Sequence, residues 1–187
     1  FQLVTPPMAK KLRDYVSRGG HVVLSFRSGA REWNNQMTER TLPGLFREIT
    51  GVTVSEFNSI LYGDPIPVKG PFGKSEASIW CDLLEPDTAK PYAVYGGDYC
   101  EGAPAVTVNA FGKGKAWYVG CDLGADAMEL LLGDVLKDAG ITPPVSDLPK
   151  EVEAVSLEKP DTGTDTGSFP WLRRKRTFCP SGHSQET

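Results

Sequence analysis

An α/β fold around a doubly wound, mostly parallel sheet is what this sequence predicts, and three observations carry the prediction. A nearly all-apolar run at 21–26 directly follows an amphipathic helical segment that ends at Gly19-Gly20, the repeating half of such a sheet. A second amphipathic helix spans 125–139. Between the two, short apolar and alternating runs are punctuated by Gly and Pro.

The elements follow in order. Thr5-Pro6-Pro7 starts the first helix, with Thr5 as N-cap and Pro6 where a missing N–H costs nothing. Met8, Leu12, Tyr15 and Val16 supply its apolar face, and Gly19-Gly20 stops it. Residues 21–26 then read as a central strand covered on both faces, and 27–35 as a polar loop at its carboxyl end. A short helix at 42–49 is stopped by Gly51. Residues 52–60 and 77–84 are expected strands, with a Pro/Gly-rich loop at 63–73 between them. Strands at 91–95 and 105–110 follow. Residues 111–115 are a tight turn returning into a strand at 116–120. In the 125–139 helix, Met128, Leu131, Leu132, Val135 and Leu136 form the expected buried stripe, closed by Gly140.

After Ile141 the character changes. Residues 142–145 are linker-like, 151–157 alternate as one strand of a following β domain, 161–167 are low-complexity, and 171–176 are basic. The expected organisation is a partial α/β domain at 1–145, a linker and first β strand at 146–160, and a solvated, disordered tail at 161–187. The chain opens on Phe1-Gln2-Leu3-Val4, which reads as the end of a strand or loop feeding a helix, so an N-terminally truncated domain is expected.

Composition narrows the function. The 187 residues are 40% hydrophobic and 24% charged, enough for one cored domain plus a short piece of another. A net charge of -4 argues against nucleic-acid binding, and no apolar run is long enough to span a bilayer. Cys81, Cys100, Cys121 and Cys179 form no C-x-x-C pair, and the histidines are only His21 and His183. Reduced, packed thiols in a cytoplasmic protein are expected, with no metal and no cofactor.

The order of helix, Gly-Gly, apolar strand and small-residue turn over 15–29 resembles class I glutamine amidotransferases, whose fold is flavodoxin-like. There the strand ends at a sharp elbow carrying a nucleophilic cysteine. Here Phe26 and Arg27 occupy that turn, and neither is a nucleophile. His21 begins the strand, at its far end, and is read as structural. No G-x-S-x-G surrounds Ser25 or Ser28, and no phosphate-binding glycine loop is present; Gly112-Lys113-Gly114 sits in a hairpin. Glu32, Glu39, Asp98 and Glu101 are read as solvated loop acids, because nothing fixes two of them across a scissile bond. No catalytic residue is therefore assigned. An alternative reading is a small-ligand or sugar-binding module, with Arg27, Ser28, Arg31 and Asn34 lining a crevice at the sheet's carboxyl edge.

Leu12-Arg13-Asp14-Tyr15-Val16 with Gly19-Gly20, Ser28-Gly29 with Asn34-Asn35, Leu42-Pro43-Gly44 and Gly51-Val52 form an ordered set. So do Ile79-Trp80-Cys81-Asp82, the run Pro104-Ala105-Val106-Thr107-Val108-Asn109, and Phe111-Gly112-Lys113-Gly114-Lys115-Ala116-Trp117-Tyr118-Val119-Gly120. The set resembles the middle domain of bacterial β-galactosidases of glycoside hydrolase family 42 over roughly residues 1–145. The resemblance implies a trimerisation domain lying between an N-terminal (β/α)₈ barrel, which holds an acid/base and a nucleophilic glutamate, and a C-terminal β domain. It implies a homotrimer, with the barrel of the parent chain as a further partner, while charge and hydropathy leave no nucleic acid or membrane among the expected partners. Trp33, Phe57, Trp80 and Tyr99 are the candidate interface anchors.

Overall fold

A computed structural model describes residues 1–142, 152–155 and 171–174. The chain divides into two units, Phe1–Gly140 and Ile141–Thr187. In the second, β9 (Val152–Val155) pairs antiparallel with β10 (Trp171–Arg174), so four residues of the basic segment form a strand. The expected low-complexity stretch at 161–167 lies outside the described residues.

The first unit is a mixed α/β structure dominated by strands. Helix α1 (Pro6–Ser17) leads into β1 (His21–Ser25), and the Thr5 hydroxyl accepts from the Met8 N–H at 3.4 Å as the N-cap. A 3-10 turn (Gly44–Phe46) runs into the short α2 (Arg47–Thr50), which Gly51 ends in the left-handed conformation. There follow β2 (Val52–Ser59), β3 (Ile66–Gly70), β4 (Gly73–Ala77), β5 (Trp80–Pro86), β6 (Lys90–Tyr95), β7 (Pro104–Phe111), β8 (Gly114–Val119) and α3 (Ala125–Asp138).

The main sheet runs β1-β8-β7-β6-β3-β4, and β2 with β5 forms a separate antiparallel ribbon bulged at Val54/Glu56. The expectation of a mostly parallel sheet is corrected here. Among the described strands β1–β8 is the only parallel pair. The cause is connection length: Pro71-Phe72 joins β3 to β4 and Gly112-Lys113 joins β7 to β8, and two-residue links return a chain antiparallel. Gly112 fits its turn because of φ 60° and because a Cβ there would lie 2.6 Å from the Ser17 backbone.

Four further expectations change. The 63–73 loop contains β3 and the start of β4. Its prolines hid the alternation of buried Ile66 and Val68 with exposed Pro67 and Lys69. The first-helix stripe is rotated: Ala9 and Val16 are buried, whereas Met8 and Tyr15 are exposed. The second-helix stripe narrows to Ala127, Leu131 and Val135, one row at i, i+4, i+8, leaving Leu132 and Leu136 exposed one step around. Finally, β1 stands at the end of the sheet, not in its middle.

Two apolar clusters line the sheet. One joins Leu131 and Val135 of α3 to Val68, Ala93, Tyr95, Val106, Trp117 and Val119. The other joins Val4, Ala9, Leu24, Phe46, Ile49, Val52, Leu84 and Tyr118. His21 pins helix to strand: its Nε2 lies 2.8 Å from the Asp138 carboxylate and its Nδ1 3.1 Å from the Gly19 carbonyl, the structural role expected of it.

Candidate functional site

The turn after β1 and the first residues of β5 meet. Phe26 leaves the strand and Arg27 follows at φ 61°, a strained value for a residue with a side chain. The Ser28 N–H closes the turn on the Ser25 carbonyl at 3.2 Å. Trp80 receives this turn. Its ring stacks with Phe26 (6.0 Å, 20°) and with Phe57 of β2 (5.5 Å, 14°), and the Arg27 guanidinium carbon lies 5.0 Å from its centroid.

Beneath the stack lies Asp82, which is 2% exposed. In a strand, positions 80 and 82 share a face, so the Trp80 indole N–H donates to Asp82 Oδ1 at 2.6 Å. The Tyr118 hydroxyl donates to Oδ2 at 2.9 Å, and the Asp82 N–H reaches the Gly120 carbonyl at 2.7 Å. Burial pushes the Asp82 carboxyl up to about 6, with the bonds from Trp80 and Tyr118 and the nearby Arg27 pulling the other way. The start of the ribbon is clasped by a second carboxylate. Asp122 accepts from the N–H groups of Ser78, Ile79 and Trp80 and from the Ser78 hydroxyl, at 2.8–3.0 Å. Burial alone would raise Asp122, but these donors hold it below the usual carboxylate range.

Of the four candidate anchors, two come together: Phe57 and Trp80 stack on one face of the ribbon, whereas Tyr99 accepts from the Asn58 amide at 2.8 Å on the other face, where Asn58 stands opposite Cys81. Trp33 stands apart in the 31–38 loop and is 71% exposed. Of the residues expected to line a crevice, Arg31 donates to the Asn35 carbonyl at 2.7 Å and the Asn34 amide to Gln36 at 2.7 Å, bonds made within their own loop. Ser28 is buried, its hydroxyl without a partner among the described residues.

The three described thiols are held in the protonated form. Burial pushes Cys100 up to about 12 and raises Cys81 and Cys121 as well; Cys179 lies outside the described residues. No group of three or more His, Cys, Asp or Glu able to hold a metal occurs among the described residues. A depression of about 110 Å³ beside Asn58, Cys81, Asp98 and Tyr99 is small for a sugar. No helix among the described residues is long and apolar enough to cross a membrane. Sequence reasoning gave Asp82 no role of its own. Its signal was an acid in the middle of an apolar strand, two residues from a tryptophan able to donate to it.

Residues 1–142 match the family model of the β-galactosidase trimerisation domain. The β-galactosidase BglY of Alicyclobacillus acidocaldarius is 34% identical over 161 residues, covering 82% of this chain and 23% of the relative. The β-galactosidase LacA of Lactobacillus acidophilus is 32% identical over 145 residues, 78% of this chain and 22% of that protein. The crystal structure of a β-galactosidase from Bacillus circulans sp. alkalophilus superposes with a TM-score of 0.78 at 29% identity, over 83% of this chain and 24% of that one. The chain thus spans about a quarter of the length of the relatives it matches.

Proposed function

The chain belongs to the trimerisation-domain family of the glycoside hydrolase family 42 β-galactosidases, and from that premise we propose that it assembles subunits and turns over no substrate itself. In this reading the module serves a longer, cytoplasmic enzyme that forms a homotrimer. That enzyme hydrolyses terminal β-D-galactosides by the retaining mechanism, with two glutamates in a barrel elsewhere in the polypeptide. Residues 1–145 are the assembly module, 146–160 lead into a β domain, and the remainder is a tail.

The family match over residues 1–142 carries the proposal. The chemistry of the strand-end turn supports it. At the position of an amidotransferase-type nucleophile stand Phe26 and Arg27, both packed on Trp80, and no activated thiol is near. The helix, Gly-Gly, strand and positive-φ turn support descent from that flavodoxin-like fold, with its catalytic elbow turned into a packing element. The contact face we assign is Phe57, Trp80 and Arg27, an aromatic and arginine cluster of the kind that anchors interfaces, with Tyr99 and Trp33 as separate contacts.

Sedimentation equilibrium tests this reading. The expected mass is three times the 20.3 kDa of one chain. Phe57→Ser combined with Tyr99→Ser weakens association at least about tenfold while the circular dichroism stays unchanged. A monomer at every concentration would sink the assembly reading, and an undisturbed oligomer in the double variant would sink the assigned face. Turnover of a chromogenic galactoside by the purified chain would sink the non-catalytic reading.

A further inference from the structure

We infer that Cys81 and Cys121 are a dithiol placed to form a cross-strand disulfide, and that hydroperoxides are the class of oxidant that closes it. The backbone carries the inference. Cys81 of β5 and Cys121, just beyond β8, are partners in an antiparallel bridge. The Asp82 N–H donates to the Gly120 carbonyl at 2.7 Å. That bond joins the residue after Cys81 to the residue before Cys121, so the cysteines are a non-hydrogen-bonded pair. Such pairs hold their Cα atoms about 4.5 Å apart with both side chains on one face, within the roughly 4.4–6.8 Å that a disulfide spans. The strands are also pinned here. The Tyr95 hydroxyl lies between the Asp82 and Gly120 carbonyls, at 3.1 and 3.4 Å, and a Cβ on Gly120 would lie 3.2 Å from the Asp82 Cβ. Both thiols are free and share one apolar cluster with Cys100. Cys100 comes from the turn after β6, where its thiol donates to the Gly97 carbonyl at 3.5 Å.

Access and acidity select the oxidant and the order of events. Cys81 lines the depression of about 110 Å³ beside Asn58 and Tyr99, which admits a molecule of a few atoms but no aromatic reagent. Burial raises both thiols, and at Cys81 hydrogen bonds from Tyr95, Cys100 and Tyr99 oppose the rise. Cys81 is therefore the sulfur that attacks, slowly, as its small thiolate fraction allows. An S–O bond forms to one oxygen of hydrogen peroxide, the O–O bond breaks, and the other oxygen leaves as water with the Cys81 proton. The Cys121 sulfur then attacks the Cys81 sulfur. The S–S bond forms, the S–O bond breaks, and the hydroxyl leaves as a second water with the Cys121 proton. Two thiols lose two electrons to give one disulfide, and the peroxide is reduced to two waters. The product staples β5 to the chain between β8 and α3, where the β2–β5 ribbon has no continuous ladder to the main sheet.

The test treats the folded chain with hydrogen peroxide and maps its peptides without reduction. The expected product joins the Cys81 and Cys121 peptides, exceeds every other cysteine pairing by at least about tenfold, and is reversed by dithiothreitol. The linked chain has a urea midpoint higher on the order of 1 M, a rise that dithiothreitol abolishes and that Cys121→Ser does not show. Should Cys121→Ser fail to fold, Cys81→Ala serves as the control, and mapping of the unvaried chain decides without either. A Cys81–Cys100 link, sulfinic acids without a link, or thiols that survive an exposure that oxidises them in the urea-unfolded chain overturns the pairing. An unchanged midpoint in the linked chain overturns the staple. The result does not depend on the assembly reading, since a monomeric chain tests it equally well.

Discussion

Replacing Asp82 by asparagine isolates the cost of burying its charge. In the folded chain the carboxyl titrates near 6, against 3.8 for the free side chain. That gap of about two units corresponds to about 3 kcal/mol between the ionised and neutral side chain. It already contains the hydrogen bonds that favour the ionised form. The sign follows from a raised folded-state value: the folded chain holds this proton more tightly than the unfolded one. The destabilisation is therefore complete above about pH 6 and vanishes below about pH 4, so this group makes the protein more stable as pH falls through that window. Asparagine is a neutral isostere whose Oδ1 accepts from the Trp80 indole and whose Nδ2 donates to the Tyr118 hydroxyl oxygen. Allowing about 1 kcal/mol for imperfect geometry at either pH, Asp82→Asn gains about 2 kcal/mol at pH 8 and loses about 1 kcal/mol at pH 4. Urea unfolding at pH 4.5 and 8, at one protein concentration, reads this as a midpoint rise on the order of 1 M at the higher pH only. A variant that loses stability at pH 8, or that keeps the wild-type pH dependence between 4 and 6.5, refutes the reasoning. Asp82→Ala also removes the titration but strands a buried indole N–H and a phenol, so it costs about 3 kcal/mol at pH 4, and at pH 8 the relief of the buried charge roughly offsets that cost.

Asp122→Ala removes the acceptor for four donors at the start of β5 and lowers stability by about 3 kcal/mol in urea melts at pH 7. Because Asp122 is held low, its contribution is present above about pH 4 and fades as pH falls below that, opposite in sense to Asp82. Gly51→Ala forces a side chain at φ 62° with its Cβ 2.3 Å from Thr88 Oγ1, and a Tm fall equivalent to about 2 kcal/mol or more is expected by calorimetry. Cys81, Cys100 and Cys121 stay unlabelled by an aromatic disulfide reagent at pH 8 in the native chain and react once it is unfolded, as peptide mass mapping will show.

Much of the architecture was legible where one residue enforces one local geometry. Thr5-Pro6 began a helix, Gly19-Gly20 and Gly51 ended helices, and Gly112-Lys113 turned a hairpin. What failed was direction and neighbourhood. An apolar pentapeptide such as His21–Ser25 reads the same at the edge or in the middle of a sheet, and composition does not say which strand it meets. Prolines 65, 67 and 71 masked β3 because they interrupt the sequence signal without interrupting the burial of Ile66 and Val68. For the helices, spacing gave the right period with the wrong rotation: Leu132 and Leu136 lie one residue from a row that is buried. In the site, Trp80 and Phe57 stood out as aromatics, but their union with Phe26 and Arg27 depends on contacts some fifty residues apart in the chain, which no local pattern encodes.

The Asp122 clasp has a mechanical consequence. The β2–β5 ribbon joins no strand of the main sheet by a ladder, yet its leading amides hang on a carboxylate three residues ahead of α3. A load applied at the outward-facing rings is delivered through that joint to the entry of the longest helix, and through the Asp82–Tyr118 bond to the second strand of the sheet. The ribbon is thus tethered at its leading end by side-chain carboxylates as well as by the Asp82 N–H on the Gly120 carbonyl, and along its length by Val52, Val54 and Leu84 in the core.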